Sequence, residues 1–439
     1  MTLKPSLALL LVLALAACGR YSGRETDTVV LLATGDLHSA LSPDRDAIGG
    51  LARIAGYASR LRRERPDVLL LDAGDAVAGT PISSLTQGRA AFTVMTTAGY
   101  DAMAIGNHEF DYGLDVLADY RLLAGFPLLA ANIDGDDGEP VADAPFVILD
   151  VDGVRVAVTG VTWEGTPAKN PARATAGAHF RPASDALRTL LPELRSQADL
   201  VVVLSHQGIE ADRALAGSVP GIDVILGGHS HSETPQPERF GDTLLLHTGR
   251  DGRNLGRLDL TVRLGGGGVV EAEGRLLRVD ESFPVDRDVA SIVTAFEDRV
   301  RTLTSVLLTH AERAISEARV KALAEEAYAA TLGTDLGFQN QTGVRGGLPA
   351  GDVRVGDVWA ALPFDNTLCV LAIRGRSLPA WARERLGSVE PERLYTIATT
   401  SFIAEQAERH FPGGVVSSSD SGRSAREAVI EHLKGATVR

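Results

Sequence analysis

The chain has very little cysteine and no surplus of positive charge, and beyond Ala17 it has no apolar run long enough to cross a bilayer. Two cysteines in 439 residues exclude a disulfide-framed scaffold. Lys and Arg total 43 against 57 Asp and Glu, a formal charge of -14. That balance excludes a protein that coats nucleic acid, which must neutralise phosphates with a basic surface. No nucleic-acid polymer is expected as a partner, and no feature of the sequence calls for a protein partner. An anionic substrate would have to be attracted by a local source, such as bound cations. Internal repeats and low-complexity tracts are also absent. At this length two domains are the default expectation.

The start of the chain reads as a secretory signal. Lys4 precedes the apolar stretch Leu7 to Ala17, and small residues follow in Leu15-Ala16-Ala17. Eleven apolar residues are too few for a membrane-spanning helix. The L-A-A-C ending resembles the lipobox of bacterial lipoproteins, in which Cys18 would become the lipidated first residue. The other cysteine, Cys369, would then have no partner within the chain. The expected organisation is a signal over 1–18, a polar tether over 19–28, a first domain over 29–284, a connecting helix over 285–306 and a smaller second domain over 307–439.

Between Val29 and about Asp280, five apolar runs each end in residues that bind metals. They are VVLLAT-GDLH (Asp36, His38), DVLLLDA-GD (Asp75), AMAI-GNHEFD (Asn107, His108, Asp111), DLVVVLS-HQG (His206) and IDVIL-GGHSH (His229, His231). Short runs of β-branched and aliphatic residues read as buried strands, and ligand sites in open α/β sheets gather at the carboxyl ends of strands. Amphipathic helices are expected over 50–63, 88–98, 113–123 and 183–195. Asp152-Gly153, between two apolar runs, marks a hairpin. This mixture suits sheets packed face to face with helices outside.

In extended chain, residues i and i+2 point the same way, so Asp36 and His38 could bind one ion, and His229 and His231 repeat that spacing. The oxygen and nitrogen donor mix suits Zn, Mn, Fe or Co rather than Ca. A carboxylate such as Asp75 can bridge two cations, and paired ions clamp the attacking and leaving oxygens of a phosphoryl group. D-x-H or G-D alone is common by chance; five such clusters, each after an apolar run, are not. The absence of an H-x-H-x-D-H run argues against a metallo-β-lactamase-type hydrolase.

GDLH, DAGD, GNHEFD, SHQG and GGHSH resemble the signature blocks of the calcineurin-like metallophosphoesterases, in the form found in 5'-nucleotidases. ANI (131–133) and HTGRDGRNLGRLDL (247–260) resemble the same family. The resemblance implies an α/β fold with a four-layer αββα catalytic domain followed by a smaller α/β 5'-nucleotidase C-terminal domain. It implies two divalent metal ions, one held by Asp36, His38, Asp75 and His231, the other by Asp75, Asn107, His206 and His229. His108, paired with Asp111, would then act on the phosphate rather than on a metal, while Glu109 and Phe110 read as structural.

The segment 333–366 resembles the C-terminal domain of that family through Thr342-Gly343-Val344-Arg345, Gly351-Asp352-Val353 and Pro363-Phe364-Asp365-Asn366. By resemblance Arg345 and Asn366 hold polar parts of a nucleotide and Phe364 stacks on its base. Phe402 occupies the place of a further aromatic, but the family's G-G-D-G-Y block is replaced by IAEQAERHFPGG. The implied protein is an exported, lipid-anchored, nucleotide-hydrolysing metallophosphatase. The rival readings are a 2',3'-cyclic-nucleotide phosphodiesterase or nucleotide-sugar hydrolase, and a non-catalytic nucleotide-binding surface lipoprotein.

Overall fold

A computed structural model describes residues 24–170 and 173–434. The N-terminal signal, Cys18 and the first half of the tether lie outside these residues. Among the described residues no helix is long and apolar enough to cross a membrane.

Two six-stranded sheets form the first domain. The first runs in the order 269–278, 254–263, 26–34, 68–72, 102–104 and 128–129. Thr26–Thr34 pairs in parallel with Val68–Asp72, and the run continues in parallel through 102–104 to 128–129. The second sheet runs 238–240, 243–247, 224–227, 200–206, 154–162 and 146–151. Its centre is parallel as well.

Alternation in the strands builds the layers. Val29, Leu31 and Ala33 face the second sheet and pack with Val156, Val158, Val202, Leu204 and Leu226. Val30 and Leu32 face the other way, against helices Leu51–Glu64 and Arg89–Ala98. Val201, Val203 and Ile225 meet helices Ala183–Gln197 and Ile209–Ser218. The order is therefore helix, sheet, sheet, helix. Side chains such as Leu31 and Leu204 are fully buried, so truncating either to Ala should cost about 2–5 kcal/mol.

The hairpin expected at Asp152-Gly153 forms, and a second one follows later in the chain. Phe146–Val151 pairs antiparallel with Val154–Thr162, and the two turn residues take positive φ, Asp152 at 51° and Gly153 at 94°. This is the backbone a tight two-residue hairpin demands. Asn254–Arg263 pairs with Val269–Arg278 beyond the glycine-rich turn.

Helix Arg287–Thr304 starts at Asp286, whose carboxylate accepts the N–H groups of Asp288 and Val289. It buries Val289 and Val293 in the helical layer of the first domain, with Ile292, Phe296 and Val300 alongside. Beyond it, a four-stranded sheet runs 336–337, 394–400, 367–374 and 415–424. Helices Glu317–Leu332 and Ala425–Leu433 cover one face. A second cluster, including Leu371, Ile397, Ile403 and Phe411, fills the other.

Candidate metal centre

All five ligand-bearing segments leave their strands at the same edge of the two sheets, and their side chains converge. Asp36, His38 and His231 form one group of donor atoms within 4.8 Å of one another, and Asp75, His206 and His229 form another. Asp75 also joins His38 and His108 in a third such group, so it sits between the other two. Asn107 Oδ1 lies 2.8 Å from His229 Nδ1, which adds it to the Asp75 side.

The backbone reaches this arrangement by a route that the spacing did not indicate. Asp36 and His38 are not extended; both are left-handed, with φ of 53° and 47°. Asp75 (59°), His229 (73°) and His231 (54°) are left-handed too. Each such residue costs of order 1–3 kcal/mol of local strain, a cost that persists where the surroundings fix the geometry. Consequently His229 and His231 do not share one group of donors, as their spacing alone would have it. His231 Nε2 meets His38 Nε2 at 2.9 Å, while His229 turns to Asn107.

Glycines let the loops approach this closely. A Cβ on Gly106 would lie 2.2 Å from Asp75 Oδ1, and one on Gly74 would lie 2.8 Å from His206 Nδ1. Glu109 then ties the loops together. Its buried carboxylate accepts the backbone N–H groups of Gly106 at 2.7 Å, Ala76 at 2.9 Å and Asp75 at 3.0 Å. Beyond its placement in GNHEFD, this clamp role had no signal in the sequence.

The donor set fits divalent cations. Asp36 Oδ2 and His206 Nε2 are buried without a hydrogen-bond partner. His206 donates through Nδ1 to the Ala73 carbonyl at 2.8 Å, which leaves Nε2 facing Asp75 Oδ2 at 3.0 Å. Two electron-rich atoms hold that approach only around a proton or a metal ion. Burial pushes the Asp36 carboxyl up to about 7 and the His38 imidazole down to about 3. His229 is lowered to about 4, by burial and then by the neighbouring His206. Burial opposes the charge on Asp75, yet His206 and His108 more than offset it and hold the carboxyl well below the usual range. His38 and His229 are thereby kept neutral and Asp75 ionised, the forms that bind metal, while Asp36 is pushed toward its protonated form and must give up that proton to bind.

His108 shares a donor group with Asp75 and His38 but is also engaged by a carboxylate of its own. Its Nδ1 donates to Asp111 Oδ2 at 2.7 Å, and its backbone N–H donates to Asp75 Oδ1 at 2.8 Å. Burial works against a charge on its ring, but Asp111 and Asp75 outweigh that and push it up to about 10. Asn170 steadies the pair by donating to Asp111 Oδ1 and to the Asn107 carbonyl, both at 2.8 Å. Trp163 lies against the His229 ring, with centroids 5.2 Å apart. Neither Asn170 nor Trp163 belongs to a recognisable motif, so sequence reading passed over both.

A cavity of about 700 Å³ opens beside this centre, between the domains, with Asp111, Tyr112, Arg173, Asp365 and Asn366 in its lining. Tyr112 donates to Asp365 at 2.7 Å, and Arg173 lies 3.4 Å from Asp420 across the gap. The Arg345 guanidinium sits 5.3 Å from the centre of the Phe364 ring, which is 41% exposed. Asn366 accepts from the Ser401 hydroxyl at 3.3 Å. Phe402 is partly buried against the cluster of Ile403 and Phe411, so Phe364 is the more exposed of the two rings. A smaller cavity of about 490 Å³, lined by Leu117, Arg121 and Val141 among others, touches none of the candidate ligands.

Comparison with known proteins gives a consistent result. Residues 29–233 match the calcineurin-like phosphoesterase family, and residues 299–386 match the 5'-nucleotidase C-terminal domain. The chain is 27% identical to a 5'-nucleotidase of Vibrio cholerae, over 86% of this chain and 80% of that one. It is 36% identical to the bovine 5'-nucleotidase over 46% of this chain and 38% of the other. It is 27% identical to the trifunctional nucleotide phosphoesterase YfkN of Bacillus subtilis, but spans only 28% of that protein's length. The crystal structure of a 5'-nucleotidase precursor from Thermus thermophilus superposes with a TM-score of 0.76 at 25% identity, covering 94% of this chain and 97% of that one.

Proposed function

The chain belongs to the calcineurin-like metallophosphoesterases of the 5'-nucleotidase family, and on that premise we propose that it is a dinuclear metal-dependent phosphohydrolase releasing phosphate from nucleotides. The observation that carries this reading is the position of Asp75. Its carboxylate stands between the Asp36–His38–His231 donors and the His206–His229 donors, with the His108–Asp111 pair alongside. Relatives in the family are phosphoester hydrolases by name.

Asp36, His38, Asp75 and His231 would hold one ion, and Asp75, Asn107, His206 and His229 the other. Zn, Mn, Fe and Co all suit these donors. Bound there, the two ions would activate water as nucleophile and neutralise charge on the phosphoryl oxygens. His108 keeps its Nδ1–H on Asp111, so its Nε2 is free to reach the phosphate. Charged, it stabilises developing negative charge or gives a proton to the leaving oxygen. Asp111 fixes the ring and favours its protonated form. Asn170 holds Asp111 in place, so that the ring does not swing toward the ligands. A binder of nucleotides would need no such proton-donating pair, which weighs against the non-catalytic reading.

The second domain, over 307–439, supplies the substrate side, with Phe364 as the stacking face and Arg345 and Asn366 as polar contacts. Phe402 belongs to the same block, but its partial burial favours a supporting role. With G-G-D-G-Y absent, nucleotide sugars and 2',3'-cyclic nucleotides stand as the second substrate class. Segment 1–18 acts as an export signal, and lipidation of Cys18 anchors the protein to a bacterial membrane.

Hydrolysis across a panel of nucleoside monophosphates, cyclic nucleotides and nucleotide sugars, with defined Mn, Co or Zn loading, tests this, read as free phosphate from the monophosphates and as nucleoside monophosphate from the other two. Activity should appear with metal and vanish on chelation. A metal-loaded protein that hydrolyses none of these would overturn it.

A further inference from the structure

Beside the centre lies a buried polar group that the proposed function does not use. His247 ends the strand Thr243–His247 and is 1% exposed. Its Nε2 donates to Asp212 Oδ2 at 2.8 Å. Its Nδ1 is buried and has no partner among the described residues. Asp212, on helix Ile209–Ser218, is fully buried too. Its other oxygen accepts from Ser205 Oγ at 2.5 Å and from Gln207 Nε2 at 3.1 Å.

These contacts have a shared direction. Ser205 and Gln207 flank His206, so Asp212 grips both neighbours of that ligand. The backbone of His247 exchanges hydrogen bonds with Thr234, donating to Oγ1 at 2.8 Å and accepting from N at 3.0 Å. Thr234 closes the loop that carries His229 and His231. Gly227, just before that loop, lies so close that a Cβ there would stand 2.0 Å from His247 Nε2 and 2.5 Å from Asp212 Oδ2. The Ser–Asp–His pattern is not a nucleophilic triad, because all three side chains are enclosed and Asp212, not His247, holds the serine.

We propose that Asp212 and His247 are positioning residues that lock the His206 strand end to the His229–His231 loop, and so set the affinity of the metal position formed by His206 and His229. Outer partners of metal-binding imidazoles typically shift metal affinity ten- to a hundredfold. Here the partner acts on the backbone segments on either side of the ligands rather than on the ligand rings. The inference rests on the proposed metal centre.

The test uses metal-depleted full-length protein titrated with Co²⁺, following the visible absorption of the bound ion. His247→Leu should weaken one of the two binding events by about ten- to a hundredfold and leave the other within about threefold. His247→Gln keeps an N–H donor for Asp212 and should restore the wild-type curve. In the double variant with Asp212→Asn, the loss should be no greater than in the worse single variant, since both belong to one contact. Should His247→Leu fail to fold, Asp212→Asn, which keeps size and removes charge, carries the same expectation. Thermal unfolding of the metal-free variants should stay within about 4 °C of wild type. Unchanged cobalt affinity in folded variants overturns the proposal. So does a larger loss of metal-free stability with both affinities reduced alike. If the wild-type protein itself binds no cobalt, the metal reading fails with it.

Discussion

His38 and His231, 193 residues apart in sequence, place their Nε2 atoms 2.9 Å from each other. Nδ1 of His38 points to the Val77 carbonyl, at 3.4 Å. A ring that donates through Nδ1 presents a lone pair at Nε2, and the Nε2 atoms of His38 and His231 meet at a point that suits a cation. His38→Ala should therefore remove one metal ion per chain and lower kcat/KM on the order of 10²–10³-fold. His231→Gln offers an oxygen at the same place and should keep that ion. Metal content of the purified variants checks both. Equal loss from the two variants would contradict the shared site.

Asp75 offers a sharper case, because it belongs to both donor groups. Asp75→Asn keeps the shape and removes the charge that His206 and His108 face. Both ions should be lost or weakened together, along with activity. Elemental analysis reading one retained ion at full affinity would show that Asp75 does not bridge.

His108 should behave in the opposite way. His108→Ala removes the group proposed to act on the phosphate but no proposed metal donor, so metal content should hold while kcat falls about 10²–10⁴-fold. Asp111→Asn should keep metal and show a smaller fall, since the ring remains but loses its 2.7 Å carboxylate partner. Loss of metal in His108→Ala would move His108 into the ligand set.

Protons compete with the metals. In the metal-free protein burial opposes the His206 charge, but Asp75 outweighs it and pushes the imidazole up to about 10. Because this is a raised value, its stabilising contribution is complete below about pH 6.5 and fades as pH rises through about 10. Metal binding must expel that proton. Apparent metal affinity should then rise with pH, by about tenfold per unit for each proton displaced. Calorimetric titration in buffers of different ionisation heat counts the protons released. A count of zero between about pH 7 and pH 8 would contradict the His206–Asp75 arrangement.

The legible part of this molecule was the part written as strand followed by ligand. Val29–Thr34 and Leu200–His206 announce buried strands, and Asp36, His38 and His206 stand at their ends. The layers follow from side-chain alternation, as with Leu31 against one sheet and Leu32 against a helix. Which histidine joins which donors was not legible from local spacing, because left-handed turns at His229 and His231 rotate the two side chains apart. The supports were hidden for another reason. Asn170 lies in a loop and Asp212 on a helix, and each acts through a contact across 35 or more residues, with no periodic pattern to mark it.

On the proposed function the second domain supplies the substrate contacts, and Phe364 is where that can be measured. Its ring is exposed beside the Arg345 guanidinium, and Asp365 and Asn366, next in sequence, line the cavity that also contains Asp111. Base stacking on an aromatic ring contributes about 1–3 kcal/mol by alanine substitution. Phe364→Ala should therefore raise KM for a nucleoside monophosphate roughly 5- to 150-fold while kcat stays close to wild type. An aryl or glycerol phosphate, which has no nucleobase, should be hydrolysed by the variant as by the wild type. Phe402→Ala should separate from it: a ring packed against Ile403 and Phe411 contributes to folding, so its loss should lower the unfolding midpoint and leave KM nearly unchanged. If Phe364→Ala alters both substrates alike, the ring serves the domain contact rather than the base, and the substrate class shifts to phosphoesters recognised without a nucleobase.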